Sequence, residues 1–210
     1  STETATRTNS PSEALCQNSA SQDVLLLSSE NDLVRFNFES RHIDILPPFD
    51  CDHLLPTEPA WFFPHSMAVD RNGIAWINLV SFKDSMGVVV KVTPETGHCE
   101  LSPYGVHYDS WMTIGMGFAG DLNSETLFVK NYPFGEPEES RIASVLNGEL
   151  NVHPQLATAG AAGELTRGLN NTLWTLSAGP GPFVLEQWDL NTKARLAEVA
   201  LDDLEMFSSF

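Results

Sequence analysis

Within "PHSMAVDRNGIAWINLV" (residues 64–80), His65, Ser66 and Asp70 place an imidazole, a hydroxyl and a carboxylate inside six residues. These are the parts of an acyl-transfer relay, in which a base activates a nucleophile and a carboxylate orients the base. The spacing does not allow it. Successive side chains of an extended chain alternate faces, so His65 and Ser66 point apart, and Asp70 falls at the turn beyond the strand. A Gly-x-Ser-x-Gly elbow is also absent. Asp70 reads instead as the cap of a "DRNG" turn shaped by Gly73. No catalytic residue is assigned, and His65 stays as a ligand-binding candidate.

Two segments lead into chain runs of the same type: "PPFDCDHLLPTEPAWFFPHS" (47–66) and "SPYGVHYDSWMTIG" (102–115). Read as long loops, they gather Trp61, Tyr104, His107, Tyr108, Asp109 and Trp111 with His65 on one face. Aromatic rings beside acids and histidines suit sugar stacking or protein recognition. Long loops on a rigid scaffold are the usual place for such work. Large apolar residues such as Trp61 and Trp111 also serve as packing wedges, and that alternative stands beside the functional one.

Glu164 and Glu205 precede Leu165 and Met206 in matching contexts, "ELTRG" and "EMFSSF". Two such acids near one axis would raise a pKa or recruit a cation. Calcium or magnesium is compatible with them, although two carboxylates are fewer than a calcium site takes. No metal ligand set is assigned and no cofactor is called for. Cys51 and Cys99 each follow a strand of successive repeats, so a bridge between them is one reading. Unpaired core cysteines, or a bridge to Cys16, are the others.

The elements that must position these groups come as short apolar runs bounded by Gly, Pro, Asn and Asp, a strand pattern. They repeat. Met67, Met116, Leu165 and Met206 are equivalent, at intervals of 49, 49 and 41 residues. A second strand type holds "VLLLS", "AWINLV", "TLFVKN" and "LWTLS". A third holds "LVRFNF", "VVVKVTP", "SRIASVL" and "FVLEQWDL", and a fourth "IDIL", "CELSP", "LNVHP" and "RLAEVAL". Four strands per unit at this period predict an all-β fold, a β-propeller of four-stranded antiparallel blades. Four repeats fit either a closed four-bladed ring, with 205–210 completing the first blade, or a truncated larger propeller. Residues 1–20 read as a flexible polar leader and 21–210 as a single propeller domain.

"PHSMAVDRNGIAWI" resembles the blade motif of the NHL and virginiamycin-B-lyase-like propellers. Pro64, Met67, Ala68, Val69, Asp70, Gly73 and Trp76 match it, with Ser66 in place of the usual glycine. "GMGFAGD…ETLFV" and "AGELTRG…LW" are similar to a group of uncharacterised secreted bacterial propeller proteins. The lyase-like members hold a divalent metal with axial histidines and a glutamate. Here His65 stands at such a position, and the other repeats offer Ile114, Gly163 and Leu204, so the histidine set is missing.

The 210-residue chain has 28 acidic and 11 basic residues, a formal charge of −17. That balance opposes nucleic acid and anionic lipid, and no apolar run is long enough for a membrane span. The expectation is a secreted, periplasmic or cell-surface recognition module that binds a protein or glycan through the 47–66 and 102–115 face without catalysis. Its oligomeric state is left open. The alternative is a metal-assisted lyase or hydrolase with its site in the axial channel.

Overall fold

A computed structural model describes residues 23–28, 32–56, 61–108, 111–120, 124–132, 140–158, 163–168, 170–177 and 183–201. Residues 1–20 with Cys16, Asp109 and Glu205 lie outside them, as does the 205–210 segment expected to complete the first blade.

The fold is an all-β propeller of four antiparallel blades. Blade one comprises β1 (Asp23–Leu27), β2 (Leu33–Asn37) and β3 (Ile43–Ile45), paired in that order. Blade two comprises β4 (Phe63–Val69), β5 (Ala75–Ser81), β6 (Met86–Thr93) and β7 (His98–Tyr108). Blade three comprises β8 (Met112–Gly120), β9 (Glu125–Tyr132), β10 (Ser140–Leu146) and β11 (Glu149–Thr158). Blade four comprises β12 (Leu165–Arg167), β13 (Thr172–Ser177), β14 (Phe183–Asp189) and β15 (Arg195–Leu201). Within each blade every strand pairs with its sequence neighbours, so each blade is an antiparallel meander.

The "DRNG" turn shows how the sequence sets these hairpins. Asp70 Oδ1 accepts the backbone N–H groups of Asn72 (2.9 Å) and Ile74 (3.0 Å), and Oδ2 accepts Trp76 Nε1 (3.2 Å). Gly73 sits at φ +80°, where an L side chain is strained. The carboxylate is therefore spent on the turn.

Because β side chains alternate, each blade has two faces that pack on its neighbours. Leu33, Ile77, Leu79, Val88, Val90 and Val92 fill the space between blades one and two. Met116, Val129, Ala68 and Val89 fill the next, and Phe128, Ile142, Leu165, Leu173 and Trp188 the last. Innermost strands approach so closely that a Cβ on Gly115 would lie 2.3 Å from the Gly163 carbonyl oxygen. Cys51 and Cys99 form a disulfide within the first of these cores, tying the 47–56 segment to β7.

One expected loop is largely strand. β7 runs on to Tyr108 and β8 begins at Met112, so "SPYGVHYDSWMTIG" is two strands joined by a short connection. β7 absorbs its extra length in a bulge, where Val88 pairs with Val106 and Val90 with Leu101. Gly105 at φ +63° supplies the bend, and its N–H donates to Ser102 Oγ (3.1 Å).

Candidate functional site

β4 carries a bulge at His65: Pro64 pairs with Leu79 and Ser66 with Asn78, leaving His65 without an opposite residue. β8 repeats it at the equivalent Ile114. A bulge re-aims one side chain, and here it turns His65 outward while Ser66 is buried. Ser66 Oγ has no hydrogen-bond partner among the described residues, so no relay forms.

The His65 ring packs edge-on against Phe82 (5.4 Å) and Phe63 (6.5 Å), and Phe63 lies 5.5 Å from Phe82. Phe63 and Phe82 remain 41% and 43% exposed. Trp61, two residues before β4, is 89% exposed. The rings desolvate the His65 imidazole enough to lower its pKa below the ordinary value. Beside this cluster, Phe49, Asp50, Asp52, Leu55, Phe62 and Pro64 line a cavity of about 300 Å³ next to the disulfide. Phe82 was not among the residues picked from sequence. It falls in the second-to-third-strand loop, and an aromatic in a "SFKDSMG" turn was its only signal.

Tyr104 and His107, expected on an exposed loop face, are only 7% and 5% exposed. Their rings stack 5.1 Å apart, inside the wall between blades two and three. Tyr104 OH bonds with Thr113 Oγ1 (3.0 Å), and the Thr113 N–H donates to His107 Nδ1 (3.4 Å). His107 Nε2 then faces Asn78 Oδ1 (3.2 Å), while Asn78 Nδ2 donates to the Thr113 carbonyl (2.7 Å). Burial lowers the His107 pKa to about 4 and raises that of Tyr104 well above its usual range. This closed network is a clamp between blades. Trp111 is half-buried and packs against the same core. Of Tyr108 the structure describes the backbone, in β7.

A second constellation lies between blades three and four. Lys130 on β9 is fully buried, and its Nζ donates to Ser177 Oγ on β13 (2.8 Å). Desolvation lowers its pKa to about 8, against the pull of Glu186 and Glu164. Glu186, also fully buried, accepts from Thr175 Oγ1 (3.2 Å) and from Arg195 Nη1 (3.0 Å). Glu164, at the entry to β12, accepts the Met116 backbone N–H, yet burial raises its pKa to about 8. The sequence reading singled out Glu164 but missed Lys130 and Glu186. Their signal was a charge at alternating positions with apolar neighbours, Phe128–Lys130 and Glu186–Trp188. Among the described residues, no group of three or more His, Cys, Asp or Glu side chains could hold a metal ion.

These features define a β-propeller with one exposed aromatic cluster and one buried ionisable cluster. No protein-family model matches the chain, and no curated protein matches it. Among solved structures, the chain is similar to one described as "Structure of Dos1 propeller". The identity is 12% over 86% of this chain and 45% of that one, with a TM-score of 0.51. It is also similar to virginiamycin B lyase from Staphylococcus aureus, with 13% identity over 90% of this chain and 58% of that one, TM-score 0.47. A protein of unknown function from Bacteroides caccae follows, with 10% identity over 86% and 73% of the two chains, TM-score 0.41. The chain spans about half the length of the first two. The first likeness shows a shared propeller fold.

Proposed function

We propose that this propeller is a recognition module that binds a protein or glycan through Trp61, Phe63, His65 and Phe82. The observation that carries the reading is an exposed cluster of aromatic rings in mutual contact, at the end of the innermost strand of blade two. Rigid rings give large contact area at small entropic cost, which favours hot spots and sugar stacking alike. A disulfide in blade two supports an oxidising compartment, hence secretion or surface display. No helix of the described residues is long and apolar enough to cross a membrane.

The test is a screen on glycan and protein arrays, followed by titration of each ligand found. The double variant Trp61→Ala/Phe82→Ala should weaken binding at least about tenfold, since each truncated aromatic anchor costs on the order of 1–2 kcal/mol. Full affinity in that variant, or no ligand on either array, overturns the reading.

One observation supports the alternative, an enzyme working in the axial channel. Glu164 keeps an exposed surface, yet desolvation of its carboxyl raises its pKa to about 8, and it feels the charge of Lys130. A carboxylic acid poised there could serve a lyase or hydrolase as general acid or base. Turnover of any substrate that survives Glu164→Gln unchanged removes this alternative.

A further inference from the structure

At the turn end of the innermost strands, β4, β8 and β12 enclose a cavity of about 410 Å³. It lies where the strands run into turns such as "DRNG", whereas the aromatic cluster lies at their start. Its accessible apolar wall is Met67, Val69 and Phe118, with Met116 and Leu165 buried behind it. Ala68 and Gly117 contribute almost no side-chain bulk, which helps keep the space open. A volume of this size suits a small organic molecule.

The polar groups of the cavity divide unequally. Both acids are engaged by donors of the protein itself. Asp70 caps its turn and Trp76, as above. Glu125 Oε2 accepts the Arg71 backbone N–H (2.9 Å) and Arg71 Nε (3.4 Å), joining blades two and three. Arg167 differs. It occupies the register position that Val69 and Phe118 hold in the two preceding blades, and it is exposed. Among the described residues its hydrogen bond runs from Nη2 to the Gly120 carbonyl oxygen (3.1 Å), a neutral partner. No carboxylate meets it among the described residues. A guanidinium carries five donors in a planar fork that fits a carboxylate two bonds at a time.

We propose that this cavity binds a small organic carboxylate, its apolar body against Met67, Val69 and Phe118 and its carboxylate on the Arg167 guanidinium. Thr166 lines the same cavity and offers a hydroxyl donor. The overall charge of −17 opposes an anion. Beyond roughly 8 Å that field is screened at physiological salt, whereas the fork acts at contact. Affinity is correspondingly modest, with a Kd of about 0.1–1 mM for a ligand of this size. The proposal is independent of the aromatic cluster, which lies at the other end of the strands.

Methionine-methyl NMR of the full chain reads the site directly, because Met67 lines it and Met116 lies behind its wall. Phenylacetate and hexanoate are the probes, and phenylacetamide is the neutral counterpart of the first. Both carboxylates should shift the Met67 and Met116 methyls saturably, and the amide should bind at least about tenfold more weakly. Arg167→Gln should bring phenylacetate down to the amide's level, while Arg167→Lys keeps part of the affinity. An amide that binds as well as the acid overturns the proposal, as does an unaltered Arg167→Gln titration. No saturable shift in the wild-type protein up to about 10 mM overturns it without recourse to any variant.

Discussion

Replacing Glu164 by glutamine should stabilise the protein at neutral and mildly alkaline pH and leave it unchanged in acid. Burial raises this carboxyl from its ordinary value of 4.5 to about 8. Between those two pH values the unfolded chain has lost the proton and the folded chain keeps it. The folded state thus binds more protons, and stability falls as pH rises across the window. At about 1.4 kcal/mol per pKa unit, the full fall is at most about 5 kcal/mol. Water reaching a partly exposed carboxyl reduces that to about 2 kcal/mol. Lys130 acts in the opposite sense. Its pKa drops from 10.5 to about 8, so the folded state binds fewer protons between those values and stability rises with pH there. The wild-type curve should therefore pass through a minimum near pH 8. Glutamine mimics the protonated acid and can still accept the Met116 N–H, so the variant loses the falling limb. Urea denaturation followed by tryptophan fluorescence, at intervals from pH 5 to 9, measures this. With a slope of about 2 kcal/mol per molar, midpoints should coincide at pH 5 and separate by about 1 M at pH 8. Parallel curves for the two proteins would refute the assignment of a proton-retaining carboxyl.

His107 gives an acid limb. Its folded pKa of about 4 lies below the ordinary 6.5, so its contribution is complete above pH 6.5 and lost as pH falls through 4. His107→Gln should flatten stability there by up to about 3 kcal/mol, read from pH-dependent melting. Gly115→Ala should destabilise by about 2 kcal/mol or more, because the new methyl meets the backbone of Gly163 and neither strand can yield alone. Replacing both Cys51 and Cys99 by alanine opens a constraint over 48 residues. It should cost about 4 kcal/mol, or about 10 °C in Tm, with dithiothreitol reproducing the loss in the wild type. Lys130→Met keeps the volume without the charge and should be neutral or stabilising in urea, whereas Lys130→Ala leaves a cavity and should cost about 3 kcal/mol.

The blades were legible because strand alternation and turn chemistry are local. "SRIASVL" and "RLAEVAL" are β10 and β15 residue for residue, and Asp70 and Gly73 mark their turn in any context. The site was less legible because exposure is decided between blades, which the sequence does not display. Tyr104 and His107 have the composition of a binding loop. Only the bulge in β7, which lengthens the strand, carries them into the wall against blade three. Phe82 becomes prominent only when β4 and β5 bring it against His65. Nothing in "TLFVKN" marks Lys130 as buried, because it is the next blade that covers it.

Two of the buried polar positions, Asn78 and Lys130, obey one rule. Asn78 lies opposite Ser66 and Lys130 opposite Gly115, and those partners are equivalent in the repeat. Each reaches the following blade, Asn78 to the Thr113 carbonyl and Lys130 to Ser177 Oγ. Apolar contacts alone tolerate sliding between packed sheets, since the hydrophobic effect has no direction. A hydrogen bond does have direction, so it fixes one blade's height against the next. Burying an amide for this purpose costs little once its bonds are made. Burying an ammonium costs much more, and the acids Glu164 and Glu186 offset that cost. The shifted pKa of Lys130 follows from blade registration and by itself signals no chemistry. Glu164 is different only because it stands at the entry to an innermost strand and keeps part of its surface open. The enzymatic alternative therefore rests on that one carboxyl. The recognition reading rests on rings that take no part in registration and that can be removed without loosening a blade.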